Sequence, residues 1–256
     1  MRKFAKPFAV AIAVLLLVTS LSACSSKIDT MGKIEKDGKV IMGTNAEFPP
    51  FEYRDENGDV AGFDVALAEE IAAEMGVELV IEDMDFNSLI AALKSGKIDF
   101  VAAGMTVTED RKENADFSQA YFDASQVIIV RADNQDILGA ADLAGMRIGV
   151  QEGTTGDLEA SEIEGAEVLR FRKGIDAVVD LQNGNIDAVV IDKQPALVFV
   201  QLNDDIRMLD EALTVEEYAI AVRKGDSDLL KVIDGVIAGL KESGRYQEIY
   251  DEYIGE

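Results

Sequence analysis

The stretch Gly104-Met-Thr-Val-Thr-Glu-Asp-Arg111 follows an apolar run, IDFVAA, and opens a charged one. Thr108 is a good N-cap, with Glu109 and Asp110 in the first turn of a helix. Gly104 lets a ligand come close to the backbone, and Thr106 offers a hydroxyl. Arg111, one turn in, can present its planar fork to a carboxylate. Together these residues form a cradle for a small anion. They suit equally a capped surface helix whose arginine pairs with a nearby acid, and composition leaves both readings open.

Three further places carry chemistry. Gln151-Glu-Gly-Thr-Thr-Gly-Asp157, with Thr154 and Thr155, sets N–H groups and hydroxyls at a helix start, again suited to an anion. A plain glycine-rich turn fits it too, and no Lys follows as a P-loop needs. Asp192 ends an apolar run, VVID, where a carboxylate can hold an ammonium group or cap the helix beginning near Lys193. An anion cradle facing an acid fits an α-amino-acid zwitterion. The loop TNAEFPPFEYRDENGDVAGFD (44–64) is stiffened by Pro49 and Pro50 and carries Phe48, Phe51 and Tyr53. Phe51 and Tyr53 read as packed into their own lobe, and Phe48 as facing a ligand.

The elements that position these residues alternate between strand and helix. KVIMGT, VELVIEDM, IDFVAAG, MRIGV, AEVLRF and IDAVVID read as strands. FDVALAEEIAAEMG reads as a helix with Val65, Leu67, Ala68, Ile71 and Met75 near helical spacing, closed by Gly76. Such alternation predicts an α/β fold with largely parallel sheets. An internal echo, SLIAALKSGKIDFVAAG (88–104) against DAVVDLQNGNIDAVVID (176–192), shares helix, Gly, x-Ile-Asp and strand. It favours two similar lobes over one turn type used twice. Gly104 and Asp192 then lie beyond equivalent strand ends, where open α/β sheets bind ligands.

The chain has 256 residues, formal net charge −25 and no histidine. That acidity argues against nucleic acid as a partner, and the absence of histidine excludes His-based catalysis and His metal sites. No metal or cofactor is expected. At the N-terminus, basic Arg2, Lys3 and Lys6 precede AVAIAVLLLV and then LSAC, ending at Cys24, the one cysteine. Residues 1–23 read as a secretory signal. Residues 24–37 read as the mature start and a polar tether. No later run is long enough to span a bilayer.

GTNAEFPPFEY, AGFDVALAEEIA, MDFNSLIAALKSGKIDFVAAGMTVTEDRKENADFS, GVQEGTTGD and VVIDKQPA, in this order, resemble the polar amino-acid-binding proteins of bacterial ABC importers, solute-binding protein family 3. The resemblance covers roughly residues 38–256. LSAC resembles a lipobox, which implies lipidation of Cys24 and stable anchoring by several acyl chains. The resemblance implies the periplasmic binding protein type II fold: two Rossmann-like lobes joined by two hinge strands, closing on a ligand. Lobe 1 is expected at 38–120 plus 219–256, lobe 2 at 126–213, and hinges at 121–125 and 214–218. By position, Arg111 and Thr106, aided by the Thr154–Thr155 backbone, would hold an α-carboxylate. Asp192 and the Gly104 carbonyl would hold an α-ammonium. Phe48 and Phe86 would sandwich the side chain, with Asn45 and Gln151 at its distal end. Ala66 and Ile191 depart from the family pattern, and Ile191 leaves side-chain preference open.

The implied function is an extracytoplasmic, non-enzymatic, membrane-anchored monomer that delivers a polar L-amino acid to permease subunits of an ABC importer. Arginine or another cationic amino acid is the leading ligand, since GTNAEFPPFEY most resembles arginine- and lysine-binding members and an inward Glu47 would favour a cation. If it faces outward, glutamine ranks equally, and cystine remains an alternative. A dehydratase on the same fold and a receptor-associated sensor are the rival functions.

Overall fold

The computed structural model describes residues 29–255. The expected signal 1–23, Cys24 and the first residues of the tether lie outside the described residues. Two five-stranded sheets organise the chain. The first has the order Glu78–Asp83, Lys39–Thr44, Phe100–Val101, Ala221–Arg223, Ala115–Phe117. Its first three strands are parallel, and Ala221–Arg223 runs antiparallel to both neighbours. The second has the order Glu167–Phe171, Arg147–Gln151, Ala188–Asp192, Gln126–Arg131, Ile206–Met208. Again the first three are parallel and the fourth, Gln126–Arg131, is antiparallel on both sides. The sequence echo is therefore an echo of topology: the strands following Gly96 and Gly184 occupy the same third place in each order. Helices cover the faces of both sheets, which is why their central strands, Phe100–Val101 and Ala188–Asp192, are buried throughout rather than alternating.

The chain passes from one sheet to the other through Phe122–Ala124 and returns through Glu216–Tyr218. These two segments pair antiparallel, with Phe122 opposite Tyr218 and Ala124 opposite Glu216. The period of two along a strand turns Glu216 and Tyr218 to the buried side and Glu217 to solvent. Phe51 reaches into this crossing. Its ring centroid lies 4.9 Å from that of Phe122 and 5.1 Å from that of Tyr218, both edge-on, a favoured aromatic geometry. Phe51 is thus packed inside, as its apolar setting predicts, while Tyr53 is half-buried.

The expected tether is corrected at its C-terminal part. Thr30–Asp37 is a helix, capped by Asp29, whose side chain accepts from the Gly32 N–H. Ile34 is fully buried and the helix packs on Ser227–Ser243. The Thr30 hydroxyl donates to Asp226, and Lys33 Nζ lies 2.8 Å from the buried carboxylate of Asp99. These partners are distant in sequence, so the local polar composition concealed the docking. Among the described residues no helix is long and apolar enough to cross a membrane.

Because Ile34 seats the helix in the first lobe, Ile34→Ala is expected to lower unfolding stability by about 2–5 kcal/mol, the usual cost of this truncation in a core. Urea unfolding measures it, and an unchanged midpoint would mean that residues 30–37 behave as a loose leader.

Candidate functional site

A narrow cavity lies between the lobes, lined by Asn45, Phe48, Phe86, Gly104, Thr106, Arg111, Gln151, Thr154, Thr155 and Asp192, together with Glu52 and Ala103. The structure brings all ten sequence-selected residues to this one place. They come from strand ends and the turns that follow them, in both lobes.

On the first lobe, Gly104 has a left-handed backbone, φ 51°, and a Cβ there would meet the Phe48 ring at 2.7 Å. Only glycine lets the chain turn under that ring. Its N–H donates to Asp64 Oδ2 at 2.8 Å. Thr108 caps the Glu109–Asn114 helix by accepting from the Arg111 N–H, as its position predicts. Arg111 extends its fork across the cleft. Nη1 donates to the Thr106 carbonyl at 2.7 Å and Nη2 to the Gly153 carbonyl of the other lobe at 3.0 Å. Its guanidinium sits 5.2 Å from the centroid of the Phe86 ring, a cation–π contact. Among the described residues no carboxylate lies within ion-pair distance of it. The reading of Arg111 as a salt-bridged surface residue is thereby set aside. Burial lowers its pKa, and Asp192 and Glu216 oppose that shift.

On the second lobe, Thr154 caps Thr155–Ser161 by accepting from the Asp157 N–H, and its hydroxyl donates to the Gln151 carbonyl at 2.8 Å. Asp192 stands at the N-cap of Lys193–Leu202 but its side chain makes no capping bond. It accepts from the Tyr218 hydroxyl instead. Burial, reinforced by Glu216, raises the Asp192 pKa to about 7, against the opposing pull of the Tyr218 bond. Asn45 and Gln151 meet across the cleft. Asn45 Nδ2 donates to the Met84 carbonyl at 3.0 Å, so its Oδ1 accepts from Gln151 Nε2 at 2.8 Å. That chain of donors orients the Gln151 amide and leaves Gln151 Oε1 buried without a partner.

Glu47 does not line the cavity. It faces the mouth and pairs with Lys173 of the other lobe at 2.5 Å, and Arg172 pairs similarly with Asp85. The glutamate in the cavity is Glu52, beside Asp192; it is fully buried, and its carboxyl neighbour is Asp64. Burial and the neighbouring Asp64 hold its pKa well above the carboxylate range. Asp64, also buried, is raised to about 6 by burial. Glu52 was missed by sequence reasoning, although a lone acid inside PPFEY is itself a signal. Glu216 and Tyr218 were read only as part of a crossing, although a strand there puts both on one face.

Residues 40–256 match the family of bacterial extracellular solute-binding proteins, family 3. The chain belongs to that family. It is 35% identical to the probable histidine-binding protein of Neisseria gonorrhoeae over 93% of this chain and 91% of that protein. It is 34% identical to the arginine-binding extracellular protein ArtP of Bacillus subtilis, over 92% of each. Among solved structures, the P235GK mutant of ArgBP from T. maritima superposes with a TM-score of 0.86 at 46% identity, covering 89% of this chain and 100% of that one. These neighbours share the two-lobed type II architecture described above.

The buried acids fix the sign of the pH dependence of stability. Asp64 and Asp192 have folded pKa values above their unfolded ones, near 4. Between about pH 4 and 7 the folded state therefore binds more protons than the unfolded state, and stability falls as pH rises. Asp116 is shifted downward by the Gly225 N–H and then by Lys224, and Asp187 by Arg147, so they act only below that window. The melting temperature of the ligand-free protein is expected to fall from pH 5 to pH 8, and Asp192→Asn to flatten the slope. One pH unit of displacement in a buried pKa corresponds to about 1.4 kcal/mol, or roughly 3–6 °C at this size. Thermal scans across that range in which the variant keeps the full slope would contradict the assignment.

Proposed function

We propose that this family member captures L-arginine outside the cytoplasm and delivers it to the permease of an ABC importer, held at the membrane by lipid on Cys24. The observation that carries the ligand is the cavity's combination of an orphaned acceptor with two aromatic faces. Its orphaned acceptor is Gln151 Oε1, beside Glu52, which burial and Asp64 keep protonated. A ligand that satisfies it must bring an N–H donor, and a guanidinium does so. Phe48 and Phe86 offer faces on which its flat, weakly hydrated cation stacks. Glu47 faces outward, which on its own makes glutamine an equal contender, and Glu52 is buried as a protonated acid, so stacking on the two rings carries the preference for a guanidinium. The arginine-binding neighbours support the same choice.

At the α-carbon end, Arg111 and the backbone N–H groups of Thr106 and Thr155 receive the carboxylate. Among the described residues, neither of those N–H groups has a hydrogen-bond partner. Asp192 and the Gly104 carbonyl receive the ammonium. No step of this reading breaks a covalent bond: the protein acts by binding and release, a non-enzymatic monomer with no cofactor. Contacts from both lobes stabilise the closed state only through their differential affinity for it.

Calorimetry against the twenty amino acids and cystine tests the ligand. Arginine is expected to bind, and Arg111→Ala to weaken it by about 2–5 kcal/mol, the range for breaking a buried charge pair, or roughly thirty-fold to several thousand-fold in Kd. Glutamine binding that arginine does not compete with would overturn the ligand, and an Arg111→Ala variant within threefold of wild type would overturn the clamp. For the anchor, Cys24→Ser is expected to move the protein from the membrane to the soluble fraction or to leave its signal uncleaved. Unchanged detergent-dependent attachment would refute lipidation.

A further inference from the structure

The returning strand Glu216–Tyr218 does more than connect the lobes. Glu216 Oε2 receives the Thr106 hydroxyl at 2.7 Å from one lobe and the Thr155 hydroxyl at 2.8 Å from the other. The other carboxylate oxygen, Oε1, receives the Thr214 hydroxyl at 2.7 Å. Gln126 Nε2 donates to the Thr155 hydroxyl at 2.9 Å and reaches Glu216 Oε2 at 3.5 Å. Two residues on, on the same buried face, the Tyr218 hydroxyl donates to Asp192 Oδ1.

A hydroxyl has one proton, and a carboxylate has none to give. The Thr106 and Thr155 protons are therefore committed to Glu216, and toward the cavity these hydroxyls can only accept. Tyr218 in turn engages Oδ1 of Asp192, a carboxylate that the Gln126 amide also approaches. We infer that Glu216 and Tyr218 are positioning residues that set the hydrogen-bond polarity of the site, making Thr106, Thr155 and Asp192 an all-acceptor cage for the ligand's α-ammonium. This rests on the amino-acid reading above, in which the Thr106 backbone N–H already serves the carboxylate. It also ties specificity to closure. One oxygen on the crossing strand holds a hydroxyl from each lobe, so the cage is complete only when the lobes are together.

The test compares arginine with 5-guanidinopentanoic acid, which is arginine without its α-ammonium, the latter measured by competition. Glu216→Ala frees the threonine hydroxyls to point either way. It is expected to weaken arginine roughly tenfold or more while leaving the deamino compound within about threefold. Glu216→Gln can still turn a carbonyl oxygen to both threonines, and it is expected to retain most of the wild-type ratio. Tyr218→Phe keeps the ring packing and is expected to lower the ratio as Glu216→Ala does, so the inference stands or falls on it if the alanine variant does not fold. A merely structural role for the strand lowers both ligands together, and that result, or an unchanged ratio in Tyr218→Phe, overturns the inference. If the screen identifies another amino acid, the same comparison is made with that amino acid and its deamino counterpart, so the ligand alone falls. If wild type binds no amino acid, both readings fall.

Discussion

A guanidinium withdrawn from water must be answered by oxygen, and Arg111 is answered by two carbonyls, one from each lobe. Carbonyl dipoles solvate the cation without neutralising it. The remaining charge is balanced at longer range by Asp192 and Glu216, both of which act on it electrostatically. Neither carboxylate is in ion-pair contact with it, so the cation keeps its capacity to bind an incoming anion. Much of the surrounding architecture follows from this constraint. Gly104 turns the chain so that the Thr106 carbonyl is available, Thr108 caps the helix that presents the arginine, and Phe86 covers its face.

The acids answer a complementary problem. Glu52, Asp64 and Asp192 are buried near one another in a protein of formal net charge −25. Water is not there to screen them, so protonation and hydrogen bonding must do so. Asp64 accepts from the Gly104 N–H and the Tyr121 hydroxyl, and Asp192 from Tyr218. The two tyrosines belong to or border the segments that join the lobes. The crossing is therefore also the place where the buried negative charge of the site is held.

Much of this was legible in the sequence because it is written in local patterns. A cap followed by acids, a glycine after an apolar run, and a repeated Gly-x-Ile-Asp each have a short-range physical meaning. Together they located Gly104, Thr106, Arg111 and Asp192 and the repeated topology. The rest depends on distant partners. The Thr30–Asp37 helix reads as a polar leader until Ser227–Ser243 supplies a surface for Ile34. Glu47 and Glu52 lie on two short paired strands, Glu47 opposite Tyr53 and Glu52 opposite Phe48, and composition does not show which of them faces inward. Glu216 looks like one acid among 49 Asp and Glu until threonines more than 60 and 100 residues away in sequence meet its carboxylate.

The ion pairs Glu47–Lys173 and Asp85–Arg172 bridge the mouth of the cleft, outside the cavity. Their side chains remain partly in water, where such pairs are individually weak and sensitive to salt. Their placement separates two quantities that a rigid pocket would join. Residues lining the cavity determine which molecule is held, whereas the rim pairs act on how long the mouth stays shut. Substitution at the rim can thus adjust residence time, and with it the ease of handing cargo onward, without redrawing the chemical identity of the cargo. A lineage of such proteins can drift in tightness while keeping its ligand, or exchange ligand while keeping its pace of release.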